Sequence, residues 1–179
     1  MNVCSVCGKD RMFAVKSKRI CYVCNEKQKK EKSKERRQKA REKKAVSPKV
    51  LTTQLDRVFS QYIRLKHMGP GGLVKCYTCY AEHPWKGIQC GHFQSRRYMN
   101  TRFDEGNCKP QCYACNVGKS GEQYRFGLNL DEEYGAGHAE MMERKAREVK
   151  KFEAQEMLLL IQEYTRKVED LKNEHGIWQ

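Results

Sequence analysis

The chain has 179 residues, a formal charge of +14, 9% aromatic residues and a mean hydropathy of −0.90. A chain this hydrophilic does not build one large core, and its longest apolar run, Met157 to Ile161, is too short to cross a bilayer. No signal peptide is evident at Met1, so a cytoplasmic location is expected, and the charge points to a polyanionic partner, nucleic acid ahead of an acidic membrane surface.

Eight of the ten cysteines fall into four Cys-x-x-Cys pairs, 4/7, 21/24, 76/79 and 112/115. Without secretion signals this pattern favours zinc over disulfides. Two structural zinc sites are expected, Cys4, Cys7, Cys21 and Cys24 in one, and Cys76, Cys79, Cys112 and Cys115 in the other. The first defines an N-terminal zinc ribbon over 1–26, which serves either as a staple or as a direct nucleic-acid contact. A basic helical linker follows over 27–50. Between Lys27 and Lys44 it carries eleven Lys or Arg against three Glu. Its residues are good helix formers with no apolar stripe, so the helix has nothing to bury. It is either a solvated linker or a DNA contact, and the unbalanced charge favours DNA through Lys29, Lys30, Lys32, Lys34, Arg36, Arg37, Lys39 and Arg41. Val46-Ser47-Pro48 is expected to end it.

A third segment, 51–135, holds the second cysteine set. Leu51 to Met68 reads as an amphipathic helix packed on the zinc unit. Trp85 to Arg97 reads as a short hairpin that alternates Ile88, Cys90, His92 and Gln94 onto one face. Tyr98 to Gly106 is an irregular loop, and Cys112 opens a short helix that runs to Lys119. Tyr124 to Tyr134 gives no legible role. The last segment, 136–179, reads as one long helix from Gly137 to Asn173, since no proline or glycine interrupts it. Its stripe Met157, Ile161, Tyr164, Val168 and Leu171 packs either within the monomer or across a dimer.

The stretch Gln89–Lys119 closes with the knuckle Cys112–Cys115, and a zinc shared with the upstream knuckle Cys76–Cys79 would bring His92 near Asn116. Hydrolysis of a phosphodiester needs an activated water and a cation on the phosphate. An imidazole suits the first task and an amide oxygen can anchor the second. Asn107 would fix the intervening loop, and Arg96 and Arg97 would hold phosphate.

The run His92…Asn107-Cys-Lys-Pro-Gln-Cys112-Tyr-Ala-Cys115-Asn116-Val-Gly-Lys119 resembles the HNH (His-Me finger, ββα-metal) nuclease signature in its zinc form. The stretches CGHF, Arg102 to Asn107, QCYACN and Tyr124-Arg-Phe-Gly-Leu128 are similar to the phage recombination endonucleases called NinG or Rap. The resemblance implies a small, zinc-stabilised α+β fold with a ββα-metal nuclease core, and a structure-specific DNA endonuclease acting on Holliday junctions and other branched intermediates. It implies His92 as general base, Asn107 as the structural middle residue and Asn116 as ligand to one catalytic Mg²⁺ or Mn²⁺, with Lys119 a further nucleic-acid contact. A homodimer is expected, because symmetric resolution needs two active sites. The position where many HNH enzymes carry a metal-binding Asp is Gly91, so either Asn116 alone anchors the cation or Asp104 joins it. Cys90 either competes for zinc or is, with Cys108, a buried thiol. The rival readings are a non-catalytic zinc-ribbon nucleic-acid adaptor and an HNH nuclease that cuts linear duplex.

Overall fold

The computed structural model describes residues 3–45 and 47–177, side chains of 43–45 excepted; the start at Met1 and the helix stop at Val46 lie outside the described residues. The chain divides into two compact units, 1–47 and 48–179. The ribbon and basic helix thus form one unit, and the cysteine-rich middle and C-terminal helices form the other.

In the first unit β1 (Phe13–Val15) and β2 (Ile20–Cys21) form a two-stranded antiparallel hairpin. Helix α1 (Tyr22–Ala45) begins inside the ribbon, so that Cys24 sits in its first turn. The buried residues here are Cys4, Ile20, Cys21 and Cys24, with Val15 packed against them. A core made mostly of sulfur is too small to offset chain entropy without a metal. Beyond that turn α1 is a lysine- and arginine-covered rod whose described side chains are almost all exposed.

The second unit is built around α2 (Pro48–Lys66). Leu51, Leu55, Phe59, Tyr62, Ile63 and Leu65 recur at three- and four-residue spacing and are all buried. They pack mainly on α6 (Ala154–Glu174), where Tyr164 and Val168 meet them and the Phe59 and Tyr164 rings stand edge to face at 4.9 Å. Each large apolar side chain buried this way contributes about 1.5–3 kcal/mol. The 157–171 stripe is therefore covered by α2 of the same chain, and it is not free to serve as a dimer contact.

The strands are short. β3 (Leu73–Lys75) pairs with β4 (Glu82–Pro84), and β5 (Gln89–His92) pairs antiparallel with β6 (Cys108–Gln111), setting Gly91 opposite Lys109 and His92 opposite Cys108. The expected local hairpin over 85–97 is corrected: its strand is real, but its partner is β6, because residues 93–97 leave the strand in a bend and turn where Asn107 holds Gln94. The intervening loop carries the one-turn helix α3 (Met99–Arg102). After β6 the chain makes a wide helical turn over Ala114–Gly118, in which Lys119 N–H reaches the Ala114 carbonyl five residues back at 2.9 Å.

Residues 124–134 lie in α4 (Gln123–Tyr134), whose Phe126 and Leu130 bury against Phe93 and against Met142 of α5 (His138–Arg147). The ammonium of Lys109, 2% exposed, is paired with Glu133 and donates to the Tyr134 hydroxyl at 2.7 Å, tying α4 to β6.

The single long C-terminal helix is also corrected. It breaks at Glu148–Glu153 into α5 and α6 with no proline or glycine in the gap. The cause is tertiary and local capping together. Asn100 Nδ2 donates to the Lys145 carbonyl at 2.7 Å and closes α5, while Phe152 turns in against Phe103. Glu153 and Glu156 then form a reciprocal capping box that starts α6. No helix among the described residues is long and apolar enough to cross a membrane.

Candidate metal centres and cleft

The two cysteine tetrads assemble as the spacing requires. In each, one Sγ per residue lies within 4.8 Å of the others, and all ten cysteines are free thiols. Cys7 and Cys21 sulfurs are 3.9 Å apart and those of Cys79 and Cys112 3.8 Å. A tetrahedral zinc with bonds of about 2.3 Å needs sulfurs about 3.8 Å apart.

The surroundings favour thiolate. The Cys21 N–H points at Cys4 Sγ (3.3 Å) and, with those of Cys7 and Val6, holds that thiol down to about 6 against its burial. Burial opposes ionisation of Cys76, but the N–H groups of Cys112 (3.3 Å) and Cys79 and the Thr78 hydroxyl bring it to about 6. Burial and neighbouring thiols push Cys24 and Cys115 up to about 12. Four crowded thiols cannot all ionise unaided, and a divalent cation removes that conflict. The donor set fits structural zinc in both places.

The second tetrad joins the turn at 76–79 to the turn at 112–115, and beside it lies an open cleft of about 620 Å³. Its walls bring together His92, Asn116 and Arg96, with Arg64 from α2 and Lys86 and Gln89 from the run into β5. His92 Nε2 lies 3.1 Å from the Arg102 carbonyl. A carbonyl only accepts, so Nε2 carries the proton and Nδ1 of the neutral ring keeps its lone pair. Burial, aided by the Arg96 charge, lowers the His92 pKa to about 4, against raising effects of the Arg102 carbonyl, the Asp56 charge and the Cys90 carbonyl. The ring is therefore neutral at pH 7.

Arg102 is itself held, since its Nε donates to Asp56 of α2 at 2.8 Å and Nη1 to the Arg96 carbonyl at 2.8 Å. Asn107, fully buried, spans the loop between the site residues. Its Oδ1 accepts from Gln94 N–H (2.6 Å), and its Nδ2 donates to the Gln94 and Thr101 carbonyls (both 3.0 Å). Asn116 Nδ2 donates to Gln89 Oε1 at 2.7 Å, which leaves Asn116 Oδ1 as the ligand-capable atom.

A side chain at 91 has no room. A Cβ on Gly91 would meet Gln111 Oε1 at 2.1 Å, and Gln111 is buried with Nε2 donating to Gly121 O (2.8 Å) and Thr78 Oγ1 (3.2 Å). Asp104 does not join the cleft either. One oxygen accepts from Gly106 N–H, the other pairs with Lys145, and the residue lines a different pocket. No Asp or Glu lines the cleft among the described residues. The donors therefore fit a catalytic Mg²⁺ or Mn²⁺ only as a single amide anchor, with phosphate and water completing the shell, and form no preassembled cage.

Two of the expected phosphate contacts are placed elsewhere. Arg97 lies over the Tyr98 ring at 4.5 Å, and Lys119 pairs with Glu122 at 2.7 Å; neither lines the cleft. Sequence reasoning missed Arg64 and Lys86. A signal for Arg64 existed: Asp56, Ser60 and Arg64 stand four residues apart and so make one polar stripe along the amphipathic helix.

A family model described as the bacteriophage lambda NinG protein matches residues 1–174. No curated protein and no solved structure matched the chain. With the match covering nearly its whole length, the chain belongs to the bacteriophage lambda NinG protein family.

Proposed function

We propose that the chain is a structure-specific DNA endonuclease of phage recombination, one that hydrolyses phosphodiesters in branched intermediates such as Holliday junctions. The observation that carries this reading is a neutral His92, fixed by a backbone carbonyl and sharing a cation-walled cleft with Asn116. The strand pair β5–β6 and the short helical turn after it would stand, in this reading, for the two strands and helix of a His-Me finger.

In this reading the phosphate enters between Arg64, Lys86 and Arg96, which attract it and later stabilise the extra negative charge of the pentacoordinate transition state. His92 Nδ1 takes a proton from the attacking water, while the Arg102 carbonyl holds the ring orientation and balances the charge the ring acquires. Asp56 and Arg102 are positioning residues, acting through that carbonyl. A divalent cation, when bound at Asn116 Oδ1, would neutralise charge on the phosphate and leaving oxygens. Branched substrates and a homodimer belong to this proposal and are carried over from the sequence resemblance alone.

The test is cleavage of a labelled four-way junction and of a linear duplex of the same sequence, in Mg²⁺ and in EDTA. Junction cleavage in Mg²⁺ alone is expected. Efficient cutting of the linear duplex would replace junction resolution with a duplex nuclease. The carboxylate-free cleft also suits a non-catalytic phosphate-binding adaptor, and binding of both DNAs without cleavage would establish that reading instead.

A further inference from the structure

The two tetrads use eight of ten cysteines. The remaining two are not scattered. On β5, Cys90 and His92 stand two residues apart and so share a face, and β6 sets Cys108 directly opposite His92. One ligand atom from each of the three lies within 4.8 Å of the others. Cys90 and His92 line the cleft, and Cys108, fully buried, stands behind them on β6.

Neither thiol has a strong alternative partner. Cys108 Sγ points at the Arg102 carbonyl at 3.5 Å and accepts a long contact from Asn107 Nδ2 at 3.9 Å, and Cys90 Sγ reaches its neighbour's carbonyl at 4.0 Å. Two sulfurs and one imidazole nitrogen are a zinc-type donor set, to which a water can add the fourth ligand. No carboxylate lines the cleft beside these three donors, so this sulfur and nitrogen set selects a thiophilic ion over a hard one held by oxygen.

We propose that Cys90, His92 and Cys108 form a third zinc site, weaker than the tetrads, and that a zinc ion there silences the cleft. Binding converts two thiols to thiolates, their protons pass to solvent, and the two negative charges balance the ion. If the ion takes His92 Nδ1, it removes the lone pair that would accept the water's proton. If it takes Nε2, it breaks the hydrogen bond to Arg102 that orients the ring. The silencing rests on the reading of His92 as general base; the site does not.

The experiment is a Co²⁺ titration of the full chain already loaded with two zinc ions. One further equivalent is expected, with thiolate-to-cobalt charge-transfer absorption and the visible bands of a tetrahedral ion. Cys90→Ala, at the half-buried wall, is expected to abolish both while zinc content stays at two per chain. Cys108→Ser is a second variant with the same expectation, its fold checked by the same zinc content. No third equivalent in the wild type, or one that both variants retain, would overturn the site.

Junction cleavage in Mg²⁺ with rising Zn²⁺, each two-zinc protein scaled to its own rate without added Zn²⁺, then reads the silencing. The wild type is expected to lose about tenfold or more, the order of a lost general base. Equal loss in Cys90→Ala would refute the silencing. If no protein cleaves under any condition, the nuclease reading fails and the silencing with it, while the cobalt spectrum still decides the site.

Discussion

The two tetrads are nearly the same chemical object, with four sulfurs each and a sulfur–sulfur separation of 3.9 Å in one and 3.8 Å in the other. They differ in what they enclose. The first draws its ligands from Cys4 to Cys24 and closes over a five-residue sheet. The second reaches from Cys76 to Cys115, and β4, β5, α3 and β6 lie inside its span. The longer closure removes more chain entropy, and it brings the strand that carries His92 beside the turn that carries Asn116. The metal chemistry is common to both; the cleft belongs only to the one whose span contains two non-local strands.

The sharpest way to break this comparison is to remove one ligand from each set. Cys112→Ser is expected to cost the second unit its zinc and its cooperative folding, since metal binding of this kind carries about 10–16 kcal/mol. Cys21→Ser is expected to unfold only the ribbon and to leave the second unit's thermal transition in place. Both drop zinc content from two to one, and amide exchange distinguishes them. Ordered strands 89–92 and 108–111 in Cys112→Ser would show that the staple does not build the cleft.

A smaller effect separates the two units as DNA contacts. Removing residues 1–47 is expected to lower junction affinity by about tenfold or more and to flatten its salt dependence, each lost phosphate contact lowering the slope by about 0.9. An unchanged slope would make α1 a bystander. Next in size, Gly91→Ala should displace the buried Gln111 amide that links Thr78 of one knuckle to Gly121 after the other. The expected cost is about 2 kcal/mol, read as a lower melting temperature of the second unit alone. A neutral substitution would mean that Gln111 moves freely.

The subtlest prediction concerns pH. His92 and His67, each lowered to about 4 chiefly by burial, are neutral in the folded chain, whereas an unfolded histidine titrates near 6.5. Between those values the unfolded state binds more protons, so stability is intact above about pH 6.5 and falls as pH drops toward 4. For the same reason the acid limb of kcat/KM, which reports the free enzyme, is expected well below pH 6. A limb at 6.5 or higher would mean that the ring is solvated rather than buried.

Much of this was legible in the sequence where the cause is local. Cys-x-x-Cys spacing gives the tetrads, and the three- and four-residue rhythm of Leu51, Leu55, Phe59 and Ile63 gives α2. The polar, charge-dense run after Cys24 gives a helix with nothing to bury. What failed depends on contacts distant in the chain. Nothing within 85–97 says that β5 pairs with residue 108 and beyond rather than with its neighbour. The α5–α6 break needs Asn100 and Phe103, some forty-five residues upstream. At the cleft, His92 and Asn116 were found through motif order, while Arg64 and Lys86 enter from a helix and a loop that carry no motif. Asp104 and Lys119 looked available, but their charges are taken up by Lys145 and Glu122.

The central claim is that a zinc-stapled cleft places a neutral His92 where a phosphodiester is hydrolysed. The most direct measurement is single-turnover cleavage of a four-way junction by His92→Ala, with zinc content and junction affinity determined on the same sample. The account expects two zinc ions per chain, affinity within about twofold of wild type, and a cleavage rate at least about a hundredfold lower. Cleavage at the wild-type rate by a protein that keeps both zinc ions would contradict it.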